Sequence, residues 1–132
     1  MDPCKILIVD EDTDDIEILT DAFKSNGVES VHYVHTAMQA FTYLQDAKNK
    51  EELPKLIITD LYLPGITGVE FLAGLKIMEP YKHIQIFILS SSKKDKEIER
   101  FRQMGAVDYL VKPTTYNEYV KVAADIKSKI DL

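Results

Sequence analysis

Five short apolar runs rich in β-branched residues recur along this chain, and segments of helical period lie between them. The first run, Lys5-Ile6-Leu7-Ile8-Val9-Asp10, is unbroken and ends in acid. Such a run suits a strand covered on both faces, as in a parallel sheet, because a strand with one wet face would alternate apolar and polar residues. Leu56 to Asp60 and Ile84 to Leu89 read the same way, and Val107 to Val111 completes the set. Ser30 to His35 is more polar, as an edge strand would be.

The intervening segments carry helix signals. Ile16, Leu19 and Phe23 share one face of a helix over residues 14–25, which Asn26-Gly27 ends. Thr36 is an N-cap for a helix bearing Ala40, Phe41 and Leu44, and polar Asp46 to Glu52 forms its tail or a loop, stopped by Pro54. A third helix runs from Val69 to Met78, closed by Pro80. The fourth spans Lys94 to Met104, with Ile98 and Phe101 inward and Gly105 as its stop; the last runs from about Thr115 to Ile130. Strand and helix alternating five times predict an α/β fold, (βα)5, with a parallel sheet covered on both faces. With 132 residues, 45% of them hydrophobic, and no low-complexity linker, the chain reads as a single domain over 1–132.

Charge and cysteine content narrow the function classes. A formal charge of −6 argues against binding nucleic acid or anionic membranes, both of which need a basic footprint. The single cysteine, Cys4, permits no internal disulfide and reads as a small buried hydrophobe. No apolar stretch approaches ~18–20 residues, and Met1-Asp2-Pro3 lacks the start of a signal peptide. A cytoplasmic protein is the expectation.

In an open α/β sheet, ligands bind beyond the carboxyl ends of the strands. At those ends stand Asp10-Glu11-Asp12, Asp60, Ser90-Ser91 and Lys112-Pro113. Packed carboxylates repel and raise one another's pKa unless a cation neutralises them. Magnesium takes carboxylate, carbonyl and water oxygens and leaves room for phosphate. With a lysine and a hydroxyl beside it, such a site suits phosphoryl transfer to a carboxylate. Acids at 12, 14 and 15 also have a simpler reading, a favourable meeting with the helix dipole.

Read together, Ile6-Leu7-Ile8-Val9-Asp10-Glu11-Asp12, Asp60-Leu61-Tyr62-Leu63-Pro64 with Gly68, Ile88-Leu89-Ser90-Ser91 and Tyr109-Leu110-Val111-Lys112-Pro113 resemble the receiver domains of bacterial two-component response regulators. The resemblance covers essentially the whole chain and implies a flavodoxin-like, doubly wound five-stranded sheet in the order 2-1-3-4-5. It implies Asp60 as phosphoacceptor, and Mg2+ (or Mn2+) held by Asp10, Glu11, Asp60 and the Tyr62 backbone carbonyl, Asp10 acting through the metal's water shell. It also implies Ser90 and Lys112 on the phosphoryl oxygens, Tyr109 swinging between outward and inward rotamers as Ser90 moves, and a cis bond before Pro113 that aims Lys112 inward. A histidine kinase or histidine phosphotransfer protein would be the donor. The surface of the fourth helix, fifth strand and fifth helix would change its affinity for a downstream protein, as a monomer or a phosphorylation-dependent dimer.

Glu11 stands where Asp is commoner, Ser90 where Thr is frequent, and Thr114 where an aromatic often follows Lys-Pro; each chemical role survives. In the receivers this chain resembles, the position of Tyr62 borders the path of the water that attacks the acyl phosphate, so its bulky ring is expected to shield that group. The charges of the fourth helix read as a solvated face, and His32, His35 and His83 as incidental. A non-phosphorylated interaction module on the same fold is the alternative; it predicts a degenerate acid pocket or a missing lysine, and neither occurs. A flavodoxin-type electron carrier is excluded, because the acids after the first strand would repel a flavin phosphate. Apart from chemistry on its own side chain, no enzyme activity is expected.

Overall fold

The computed structural model describes residues 5–130; the Cys4 expectation lies outside them. Five strands, β1 (Ile6–Val9), β2 (Val31–Val34), β3 (Leu56–Thr59), β4 (Gln85–Ser90) and β5 (Asp108–Val111), alternate with α1 (Thr13–Ser25), α2 (Ala37–Asn49), α3 (Gly68–Ile77), α4 (Asp95–Gln103) and α5 (Tyr116–Ile130). All pairings are parallel, in the order β2-β1-β3-β4-β5. This is the doubly wound order the resemblance implied.

The pleat explains why both faces of the central strands are apolar. Ile6 and Ile8 enter one layer with Leu56, Ile58, Phe87 and Leu89, against α1 and α5. Leu7 and Val9 point the other way, into a layer with Ile57, Ile86 and Ile88 against α2, α3 and α4. Alternate side chains of a strand face opposite sides, so a strand between two helical layers is apolar at every position. Each such buried side chain contributes about 1.5–3 kcal/mol. β2 is half-exposed along its length and stands at the edge, as its polarity suggested.

Local chemistry sets the helix ends. The Asp12 side chain caps α1 by accepting from Asp14 N–H and Asp15 N–H; Thr36 caps α2 through Gln39 N–H. Thr67 and Glu70 form a reciprocal capping box at α3. Gly68 follows from close packing, since a Cβ there would lie 2.5 Å from the Leu61 carbonyl oxygen. Gly105, after α4, has φ +100, the left-handed region that favours glycine.

Two features depart from the expectations. A short 3-10 helix, Tyr81–His83, follows Pro80 and buries Tyr81; its three residues are too few to show a period in sequence. The cis peptide bond among the described residues is Glu79–Pro80 and not Lys112–Pro113. Lys112 points inward without one, because its N–H continues the sheet ladder to the Ser90 carbonyl at 2.8 Å.

Candidate functional site

Register gathers the charged strand ends. Val9 pairs with Thr59, Thr59 with Ile88, and Ser90 with Val111. The residues just past these pairs therefore emerge side by side at the carboxyl edge. Their backbones extend the ladder: Asp10 N–H donates to Val34 (3.1 Å), Asp60 N–H to Val9 (2.9 Å) and Lys112 N–H to Ser90 (2.8 Å). Functional side chains are thus held by sheet hydrogen bonds and not by loops alone.

The ammonium of Lys112 is the centre of the site. Its Nζ lies 2.8 Å from Asp60 Oδ2, 2.9 Å from Asp10 Oδ2 and 2.7 Å from Asp15 Oδ2. The lysine side chain is only 10% exposed, and those of Asp10 and Asp60 are 8% and 12% exposed. Burial alone would lower the pKa of Lys112, but hydrogen bonds to Asp15, Asp60 and Asp10 outweigh it and raise the pKa well above the usual lysine range. The group is a permanent cation. The Asp10 pKa is raised as well, which for an acid favours the neutral form: burial lifts its carboxyl above the ordinary value, against the hydrogen bonds from Lys112 and Asp12 N–H. The other oxygens of Asp10 and Asp60 are held too. Asp10 Oδ1 accepts from Asp12 N–H at 2.9 Å, and Asp60 Oδ1 from Leu61 N–H at 2.6 Å.

The remaining predicted residues fall around this centre. Ser90 is buried, and its Oγ accepts from Ser92 N–H at 3.4 Å. Tyr109 is inward and buried, its hydroxyl donating to the Ser92 carbonyl at 3.0 Å and its ring 6.0 Å from that of Phe101. Tyr62 is 60% exposed beside Asp60. Glu11 is exposed and stands apart from the ammonium that the other acids share. Among the described residues, no group of three His, Cys, Asp or Glu side chains has metal-binding geometry. The donor chemistry nevertheless fits a hard divalent cation: carboxylate oxygens predominate, and Lys112 alone faces three carboxylates.

Sequence reasoning missed three participants. Asp15 was covered by its helix-start reading, yet it reaches Lys112 across the fold. Glu97 belonged to a helix read as a solvated face; it accepts from Ser92 Oγ at 2.5 Å and from the Tyr62 hydroxyl at 3.5 Å, linking α4 to the site's rim. His35 is not incidental, because its Nδ1 donates to the Asp10 carbonyl at 3.1 Å. No local pattern marks these residues: Asp15, His35 and the Tyr62 contact of Glu97 span 97, 25 and 35 positions, and the nearer Ser92–Glu97 bond depends on the turn into α4.

The profile of the response regulator receiver domain matches residues 6–124. The chain belongs to the response regulator receiver domain family. Among curated relatives, the two-component response regulator ORR1 of rice is 30% identical over 83% of this chain and 49% of its own length. This chain thus spans about half of that relative. Chemotaxis protein CheY-3 of Vibrio cholerae is 26% identical over 96% of this chain and 88% of its own. The crystal structure of the phosphorylated cyanobacterial phytochrome response regulator RcpA superposes with a TM-score of 0.85 at 26% identity, covering 97% of this receiver domain and 93% of that chain. Membership implies phosphoryl acceptance and a signalling role rather than that of a conventional enzyme. Since relatives include a plant protein, membership does not carry the bacterial origin the resemblance suggested. Among the described residues, no helix is long and apolar enough to cross a membrane.

Proposed function

We propose that this receiver domain is a signalling switch that accepts a phosphoryl group on Asp60. The observation that carries this reading is the Lys112 ammonium, 2.8 Å from Asp60 Oδ2 and almost buried at the carboxyl edge of the sheet. A carboxylate of Asp60 attacks phosphorus in line, forming an acyl phosphate. The bond from phosphorus to the donor breaks, and its electron pair leaves with the donor, the imidazole of a histidine kinase or histidine phosphotransfer protein. Lys112 and the Ser90 hydroxyl donate to phosphoryl oxygens, and Tyr62 covers the approach of water. Magnesium, or manganese, held by Asp10, Glu11, Asp60 and the Tyr62 carbonyl, would neutralise charge developing on the transferred group.

The charge that phosphorylation adds bears on Ser90 and, through the β4–α4 loop, on the Ser92 carbonyl that holds the Tyr109 hydroxyl. The α4-β5-α5 surface then changes its affinity for a downstream protein. The reading takes the chain as one receiver domain whose output is docking to that partner.

The test is incubation with acetyl phosphate and magnesium, followed by the mass of the intact protein. A phosphoryl increment is expected, lost in Asp60→Asn and lost on chelation. A folded protein with no increment would remove the phosphoacceptor role and favour an interaction module that works unphosphorylated.

A further inference from the structure

Asp15 needs a reason beyond the helix dipole. It sits in the first turn of α1, its N–H held by the Asp12 side chain at 3.2 Å. Its carboxylate is half-buried and makes the shortest of the three contacts to Lys112, at 2.7 Å. A dipole would be satisfied by an acid pointing into solvent, whereas this one crosses to the end of β5.

The donor count then matters. A lysine ammonium has three N–H groups, and Lys112 has carboxylates of Asp10, Asp15 and Asp60 within 2.9 Å. Before phosphorylation, no donor is spare for a phosphoryl oxygen. In the reaction proposed above, on which this inference rests, Asp10 and Asp60 turn to other partners. Asp15 belongs to neither the metal set nor the acceptor, so it keeps its claim on the ammonium. We propose that Asp15 is a positioning residue that competes with the phosphoryl group for Lys112 and so weakens the phosphorylated state.

An anchoring role would have the opposite sign. It is the smaller effect, because Lys112 is also held by its backbone bond to Ser90 and by its own burial, neither of which depends on the acids. A negative charge sharing one ammonium with the incoming dianion opposes it directly.

The test is a beryllofluoride titration of the magnesium-loaded protein, followed by fluorine NMR. Asp15→Asn removes the charge and keeps the shape, and should bind about fivefold tighter. Asp15→Glu should return affinity toward the original value, which a packing role for Asp15 would not predict. Asp15→Ser carries the same comparison should the amide disturb folding. Unchanged or weaker binding by the folded neutral variants overturns the inference while leaving Asp60 as acceptor. Failure of the unaltered protein to bind beryllofluoride overturns both.

Discussion

The two ends of β5 carry ion clusters of opposite design. At its carboxyl end one cation, Lys112, stands among three acids, and the lysine is 10% exposed. At its amino end one acid, Asp108, stands between two cations, Arg102 of α4 at 2.9 Å and Lys129 of α5 at 3.1 Å. The Arg102 and Lys129 side chains are 52% and 43% exposed, so water screens that cluster. Burial opposes ionisation of Asp108, but hydrogen bonds from Arg102 and Lys129 and from Tyr109 N–H outweigh it and hold the carboxyl below its usual range. Asp125 also pairs with Lys129, at 3.2 Å, so acids and cations match two to two, and the cluster fastens two helices to the strand. The Lys112 cluster is buried and keeps surplus negative charge, which is what a site for a further cation and a phosphoryl group requires.

The sharpest break of this comparison is Lys112→Met. It leaves three acids together, two of them nearly buried, and should cost about 3 kcal/mol in metal-free urea unfolding. Magnesium should recover much of the loss. A loss no larger than that of an exposed pair would erase the distinction between the two ends.

Tyr62→Asn should shorten the lifetime of the acyl phosphate several-fold, read as decay of the phosphorylated mass after the donor is removed. It trades an exposed ring beside Asp60 for a small polar group. Equal lifetimes would mean that the rim formed with Glu97 does not exclude water.

The smallest effect belongs to Asp108→Asn, at most about 1 kcal/mol given its exposed partners, and less at high salt. Because the folded-state pKa of Asp108 is lowered, its stabilisation is fully present above its unfolded value of 3.8 and lost as pH falls through the folded value. Acid unfolding curves of the variant and the original should therefore converge at low pH and separate as pH rises. A difference that grew on acidification would contradict the pairing.

The five strands, the helix stops at Asn26-Gly27 and Gly105, and the Thr36 cap were legible because each is written in neighbouring residues: an unbroken apolar run, a left-handed position, a hydroxyl before a helix. The gathering of Asp10, Asp60 and Lys112 was legible for a related reason, since strands of known direction deliver their final residues to one edge. Glu97 was not, since its contacts depend on how α4 lies over the site, and a surface acid in a charged helix looks the same whether or not it bends inward. The Lys112–Pro113 bond was misjudged, as ladder bonding to Ser90 already aims the lysine.

By itself the sequence determined the fold class and the edge at which chemistry collects, because hydrophobic periodicity and strand direction are local properties repeated along the chain. Only the tertiary structure decided which acids hold Lys112, that Tyr109 lies inward, and that Asp15 joins the cluster from a helix 97 residues away. Those contacts depend on distances between elements, which packing sets and no local pattern encodes.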